Sequence, residues 1–160
     1  AKDFPNLKTT NRGISGDTSR GVRYRLREDV LELNPKAVCL LIGTNDLGLG
    51  GTPEQIADNV KAIIAELQKQ NANVPIVLNR VMPRGPEAGK FPEKIVKLNQ
   101  LYDAIATADK RITICDTWSI FDDGKGGAKK DEFDDLLHPT PKGYAKWKTA
   151  LDAVFAKLKL

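Results

Sequence analysis

Histidine is nearly absent from this sequence: the 160 residues contain one, His138. A lone imidazole excludes every metal site built on two or more histidines, and any acid–base work done by histidine falls to that ring. Cysteine is scarce too. Cys39 and Cys115 each sit in an apolar, strand-like run without metal-ligand spacing, so both are expected to be small buried hydrophobes rather than a disulfide. They leave the redox compartment, and with it the localisation, undecided. No apolar run is long enough to span a bilayer, and Ala1-Lys2-Asp3-Phe4-Pro5 has no apolar core of a secretory signal. The phosphate-binding pattern G-x-x-x-x-G-K-[ST] is also missing; Gly48, Gly50 and Gly51 form only a short flexible loop, which weakens a flavodoxin-like nucleotide-binding reading. No repeat, low-complexity tract or linker divides the chain. Residues 1–160 are therefore expected to form a single domain, long enough to bury a core.

What is present is ordinary for a soluble protein: 41% hydrophobic and 29% charged residues. The net charge of +4 is modest. Its lysines are spread along helical stretches and the C-terminal tail rather than gathered with aromatics, so no nucleic-acid partner is expected.

The chain alternates between two hydrophobic periods. Lys8 to Asn11 reads as the end of a short strand. Thr18 to Leu33 reads as a helix with Val22, Leu26, Val30 and Leu33 on one face, stopped by Asn34-Pro35. Ala37 to Ile42 is a continuous apolar run, the mark of a strand covered on both faces. Thr52 caps a second helix with Pro53 at its first position and Ile56, Val60, Ile63, Ile64 and Leu67 inward. A strand from Pro75 to Leu78, a helix from Pro92 to about Thr107 and a strand from Ile112 to Cys115 follow. Thr140-Pro141 opens a last helix with Tyr144, Trp147, Leu151, Val154, Phe155 and Leu158 on its apolar face. This alternation predicts a three-layer α/β fold with a parallel sheet, and in such sheets ligands bind beyond the carboxyl ends of the strands.

Polar and glycine-rich segments gather at those ends. Asp135 stands three residues before His138; a turn between them lets the carboxylate hold one ring nitrogen and leave the other as a base, although a helix-entry loop with an incidental histidine explains the same letters. Gly16 lies where the chain turns toward a helix, so its N–H can face a developing oxyanion or simply serve a turn. Asn45 can supply a second oxyanion donor or act as a turn asparagine. Asp46 can contact substrate or cap its loop, and Arg84 can face the crevice or the solvent.

Taken together and in this order, the segments resemble the SGNH (GDSL) hydrolase family. Asn11-Arg12-Gly13-Ile14-Ser15-Gly16-Asp17-Thr18 is similar to its second block, Gly43-Thr44-Asn45-Asp46 to its third and Asp135-Leu136-Leu137-His138-Pro139 to its last. Val81 to Gly85 and His138 to Ala145 further resemble the platelet-activating-factor acetylhydrolase catalytic-subunit group and its bacterial relatives. The resemblance implies a flavodoxin-like α/β/α hydrolase with no metal and no organic cofactor. It implies an oxyanion hole from the Gly16 N–H and the Asn45 amide, His138 as general base and then acid, and Asp135 as its orienting partner. Asp46 and Arg84 are the candidate substrate contacts. The implied reaction is hydrolysis of a small-molecule, short-chain ester, acetyl above all, through an acyl-serine.

One block is missing. The family's Gly-Asp-Ser, at the end of the first strand, has no counterpart among the ten residues before Asn11. Gly16-Asp17-Thr18 mimics it, but casting Thr18 or Ser15 as nucleophile would remove Gly16 from its own role. The first strand of such a fold lies centrally, and its loss exposes strand edges. The expectation is therefore that an N-terminal segment of about 25 to 40 residues, one βα unit, carries the strand and the serine outside this sequence, whether cleaved, disordered or held as a separate chain. The competing expectation is a non-catalytic ligand-binding domain of the same fold that lost the serine. The oligomeric state, a homodimer included, stays open.

Overall fold

Three apolar runs form the sheet. In the computed structural model, which describes residues 4–85 and 91–160, β1 (Val38–Leu40), β2 (Ile76–Asn79) and β3 (Ile112–Cys115) lie in that order and all run parallel. Val38 stands opposite Ile76, and Ile76 opposite Ile112. The period-two alternation then sorts the side chains. Val38, Leu40, Ile76, Leu78, Ile112 and Ile114 meet one helical layer, while Val77 and Cys115 meet the other. The first layer is α1 (Ser19–Asp29), α3 (Pro53–Gln70) and α4 (Pro92–Ala108); the second is α6 (Pro141–Leu158). Two short helices, α2 (Thr44–Gly48) and α5 (Thr117–Phe121), follow β1 and β3 directly. This is the expected three-layer α/β arrangement. The five inward residues read for the second predicted helix, Ile56 to Leu67, are all buried in α3, each contributing about 1.5–3 kcal/mol.

The helix starts follow their capping residues. The Thr18, Thr52 and Thr140 hydroxyls accept from the Gly21, Gln55 and Gly143 N–H groups, and Gln55 reaches back to complete a capping box. Each such cap contributes about 1 kcal/mol. The first helix is shorter than its apolar face predicts. It ends at Asp29, Val30 leaves helical geometry, and a 3-10 turn (Leu31–Leu33) leads to left-handed Asn34, where Pro35 bars continuation.

Four expectations need correction. Lys8 to Asn11 is not a strand: residues 8–16 are irregular and exposed, because no strand edge among the described residues pairs with them and no apolar side chain holds them down. Among the described residues the sheet accordingly has three strands, with β1 at an edge. The run around β1 is not covered on both faces, since α6 packs over Val77 and Cys115 and leaves the neighbouring Cys39 exposed; Cys115 alone is the buried hydrophobe. Tyr144 is 55% exposed: it sits in the first turn of α6, before the helix reaches the sheet, and stacks on Trp147 instead. Residues 1–3, the start of the stretch read for a leader, lie outside the described residues.

No helix among the described residues is long and apolar enough to cross a membrane, and no group of three or more metal-ligating side chains occurs among them.

Candidate active site

The carboxyl ends of β1 and β2 carry two segments, the irregular stretch before α1 brings a third, and the loop before α6 a fourth. In that loop Leu136 adopts a left-handed φ of 59°, which folds Asp135 back over the two residues that follow. Asp135 Oδ1 accepts from the Leu137 and His138 N–H groups at 2.9 and 2.7 Å, and Oδ2 meets His138 Nδ1 at 2.6 Å. The His138 ring, and then those two N–H groups, hold the Asp135 carboxyl well below the usual carboxylate range. A carboxylate fixed by two N–H groups can keep Nδ1 as the donor and leave Nε2 free. Both side chains stand open to solvent.

Gly16 and Asn45 meet at the start of α1. Gly16 has a φ of +77° at the end of the irregular stretch, and nothing crowds the place of a Cβ, so its requirement is conformational rather than steric. The next residue is pinned three ways. Thr18 N–H donates to Asp17 Oδ1 at 2.8 Å, the Arg25 guanidinium donates to Oδ2 at 2.7 and 2.9 Å, and Asn45 Nδ2 donates to the Asp17 carbonyl at 2.9 Å. Asn45 belongs to α2, which is preceded by Gly43 with a φ of +118°. A Cβ at Gly43 would stand 2.8 Å from Leu98, so the turn out of β1 admits only glycine.

Asp46 occupies a bracing position rather than a crevice-facing one. It is buried, and its carboxylate accepts from the Ser19 N–H at 2.9 and 3.0 Å and from the Ser19 hydroxyl at 2.5 Å, with Asn59 donating to that hydroxyl in turn. Arg84 is half-buried. Its Nη1 donates to the Thr44 carbonyl at 3.1 Å, its guanidinium lies 5.9 Å from the centre of the Phe91 ring, and burial pulls its pKa down.

Residues that carried no role in the sequence reading complete the frame. The Asn99 side chain bonds both the N–H and the carbonyl of Val81, at 2.7 and 3.0 Å, and so fixes the loop beyond β2. In that loop the Gly85 N–H donates to the Leu136 carbonyl at 2.9 Å. Hydrogen bonds thus connect all four segments: the Asp135–His138 turn to Gly85, Arg84 to α2, and Asn45 to the turn after Gly16. Ser19 and Arg25 could have been suspected from their place in the first turns of α1. Nothing in the sequence signals the pairing of Gly85 with a residue 51 positions on.

The chain is similar to known proteins over nearly its whole length. It is 31% identical over 144 residues to the platelet-activating factor acetylhydrolase IB subunit alpha2 of Homo sapiens, covering 89% of this chain and 62% of that protein. It is 30% identical over 156 residues to the alpha1 subunit of Pongo abelii, covering 97% of this chain and 67% of the relative. The chain therefore spans less than two thirds of the alpha2 relative's length. Its fold superposes on the crystal structure of a GDSL-like lipase from Bacteroides thetaiotaomicron with a TM-score of 0.88 at 29% identity, covering 98% of this chain and 80% of that one. The model of the GDSL-like lipase/acylhydrolase family matches residues 1–146, and the chain belongs to that family.

Proposed function

We propose that this chain is the larger part of a serine ester hydrolase that cleaves short acyl esters, acetyl above all, through an acyl-serine intermediate. The observation that carries the reading is the Asp135–His138 pair, locked at 2.6 Å with Nε2 left as the free ring nitrogen. In this reading Nε2 takes the proton of a serine hydroxyl as its oxygen attacks the ester carbonyl, and Asp135 stabilises the imidazolium that forms. The charge on the carbonyl oxygen is met by the Gly16 N–H and by the second hydrogen of the Asn45 amide, its first being held by Asp17. His138 then returns the proton to the departing alcohol. A water molecule, activated by the same nitrogen, releases the acid and frees the serine.

The serine in this reading is carried on a strand that pairs with the open edge of β1. Two hydroxyls of this chain are already committed: Thr18 Oγ1 caps α1, and Ser19 is buried with its hydroxyl on Asp46. The preference for short acyl groups is supported by the acetylhydrolase relatives and by the direct passage of β1 into α2, which offers little chain there for a lid.

The test is a fluorophosphonate probe on the intact gene product, with the labelled peptide identified by mass spectrometry and hydrolysis of p-nitrophenyl acetate compared with the octanoate. The reading expects one labelled serine outside residues 1–160 and faster acetate hydrolysis. No label and no hydrolysis would instead favour a ligand-binding domain of the same fold.

A further inference from the structure

Two adjacent residues reach both halves of the site. We infer that Arg84 and Gly85 form a brace that sets the distance between the Asp135–His138 turn and the Asn45 amide, with Arg84 acting as a positioning residue rather than a substrate contact. The inference rests on the acyl-transfer reading above for its consequence, although the brace itself is a matter of geometry.

At one end the Arg84 side chain grips a peptide plane. Its Nη1 donates to the Thr44 carbonyl at 3.1 Å, and that carbonyl belongs to the peptide unit whose nitrogen is Asn45. A shift of this plane moves the Asn45 Cα directly, and with it the amide that reaches Asp17. The guanidinium has little freedom to slide. It lies over the Phe91 ring, and a Cβ at Gly48 would already be 3.4 Å from its Nη1. Its Nε is buried without a hydrogen-bond partner among the described residues, so the Thr44 bond and the ring contact together define where it sits.

At the other end the Gly85 N–H donates to the Leu136 carbonyl at 2.9 Å. The N–H of that same peptide unit belongs to Leu137 and donates to Asp135 Oδ1 at 2.9 Å. The Leu136–Leu137 plane is thus held at both edges, by Gly85 and by the carboxylate that orients His138. The approach is too close for a side chain, since a Cβ at Gly85 would stand 2.3 Å from the Leu136 Cβ. Because Arg84 and Gly85 are bonded to each other, the two planes are tied through a single stretch of main chain.

Misplacing one arm of an acyl-transfer site by about an ångström costs on the order of 100-fold in rate. In the intact protein, Arg84→Ala is expected to lower kcat by roughly 10- to 100-fold with KM for p-nitrophenyl acetate unchanged within about twofold. Arg84→Lys, which keeps a donor for Thr44 but loses the planar fork over Phe91, should fall between it and the parent, and it carries the test if the alanine variant does not fold. A second readout does not need activity: the Asn45 side-chain amide signals in a ¹⁵N spectrum should shift and exchange faster with solvent in the Arg84 variants. Gly85→Ala should instead move the His138 ring signals, assigned by their loss in His138→Gln. A rise in KM with kcat intact would make Arg84 a substrate contact and overturn the brace. Loss of stability alone, with the Asn45 amide and kcat unmoved, would reduce Arg84 to packing and overturn it equally. If His138→Ala keeps full hydrolysis, the acyl-transfer reading falls, and the Asn45 signals still decide whether the brace exists.

Discussion

Asn45 Nδ2 donates to the Asp17 carbonyl at 2.9 Å, across 28 residues of sequence. The asparagine proposed as an oxyanion donor is therefore also a clasp between α2 and the turn that carries Gly16. In the proposed mechanism its two amide hydrogens divide the roles, one holding the turn and one facing the reaction.

Changing Asn45 to Ala should consequently show two losses rather than one. Removal of an oxyanion donor costs about 10²–10³ in kcat. The lost clasp leaves the Asp17 carbonyl without that donor, a loss of about 1 kcal/mol in stability. Steady-state kinetics and urea unfolding of the same variant measure both. A change confined to KM would argue against the oxyanion role, and an unchanged urea midpoint against the clasp.

The Asp135–His138 pair makes a prediction in pH. The folded-state pKa of Asp135 is depressed by the His138 ring and the Leu137 and His138 N–H groups, relative to an unfolded value of about 3.9. A depressed carboxylate contributes stability that is present above the unfolded value and lost only as pH falls through the lower, folded one. Asp135 therefore stays ionised through the ordinary carboxylate range, and kcat/KM should show no protonation step there. A step between about pH 3.5 and 5 in the profile, abolished by Asp135→Asn, would refute it.

How far the sequence foretold this structure depends on whether a feature is local. The caps at Thr18, Thr52 and Thr140, the inward stripe of α3 and the strands at 38–40, 76–79 and 112–115 follow from spacing within one element. The Asp135–His138 pair was legible for the same reason, being closed by a three-residue turn. What escaped depends on partners distant in the chain. Lys8 to Asn11 has a strand-like place in the order of elements, but a strand exists only against another edge. Cys39 reads as apolar core, yet its burial depends on how far α6 extends across the sheet. The bracing roles of Asp46 and Arg84 are set by Ser19 and Thr44, and no local pattern names those partners.

Gly43 offers a test of the turn that delivers Asn45. A residue with a side chain at this position meets a φ of +118° and a Cβ 2.8 Å from Leu98, 3.1 Å from the Tyr102 hydroxyl and 3.2 Å from Val81. Backbone strain and overpacking are each about 1–3 kcal/mol, so Gly43→Ala should lose about 3 kcal/mol or more in urea unfolding. The Tyr102 hydroxyl, which donates to the Ile42 carbonyl at 3.1 Å, lies in the path of the new methyl group. Measured in the Leu98→Ala background, the cost of Gly43→Ala should fall by part of the overpacking but by none of the backbone strain. No cost of Gly43→Ala in that background would show that φ is not the constraint.

The two thiols should differ sharply in reactivity. Cys115 is 1% exposed beneath α6, and burial, then Cys39 and Asp116, push its pKa up to about 12. At pH 8 almost none of it is thiolate, the form that reacts, and no path to reagent exists while α6 is docked. Cys39 stands exposed on β1, at the edge of the sheet, with the Asn79 amide donating to its sulfur at 3.2 Å; its surroundings raise its pKa too, so the contrast rests on access to reagent. A chromogenic disulfide reagent on residues 1–160 should therefore titrate one thiol in the native state and two in denaturant. Mass mapping should place the first on Cys39. In the intact gene product the proposed strand alongside β1 would crowd Cys39 and slow its labelling, while leaving Cys115 as protected as before. Equal labelling of Cys39 in both forms would mean that nothing pairs with that edge, and the nucleophile would then have to be sought elsewhere.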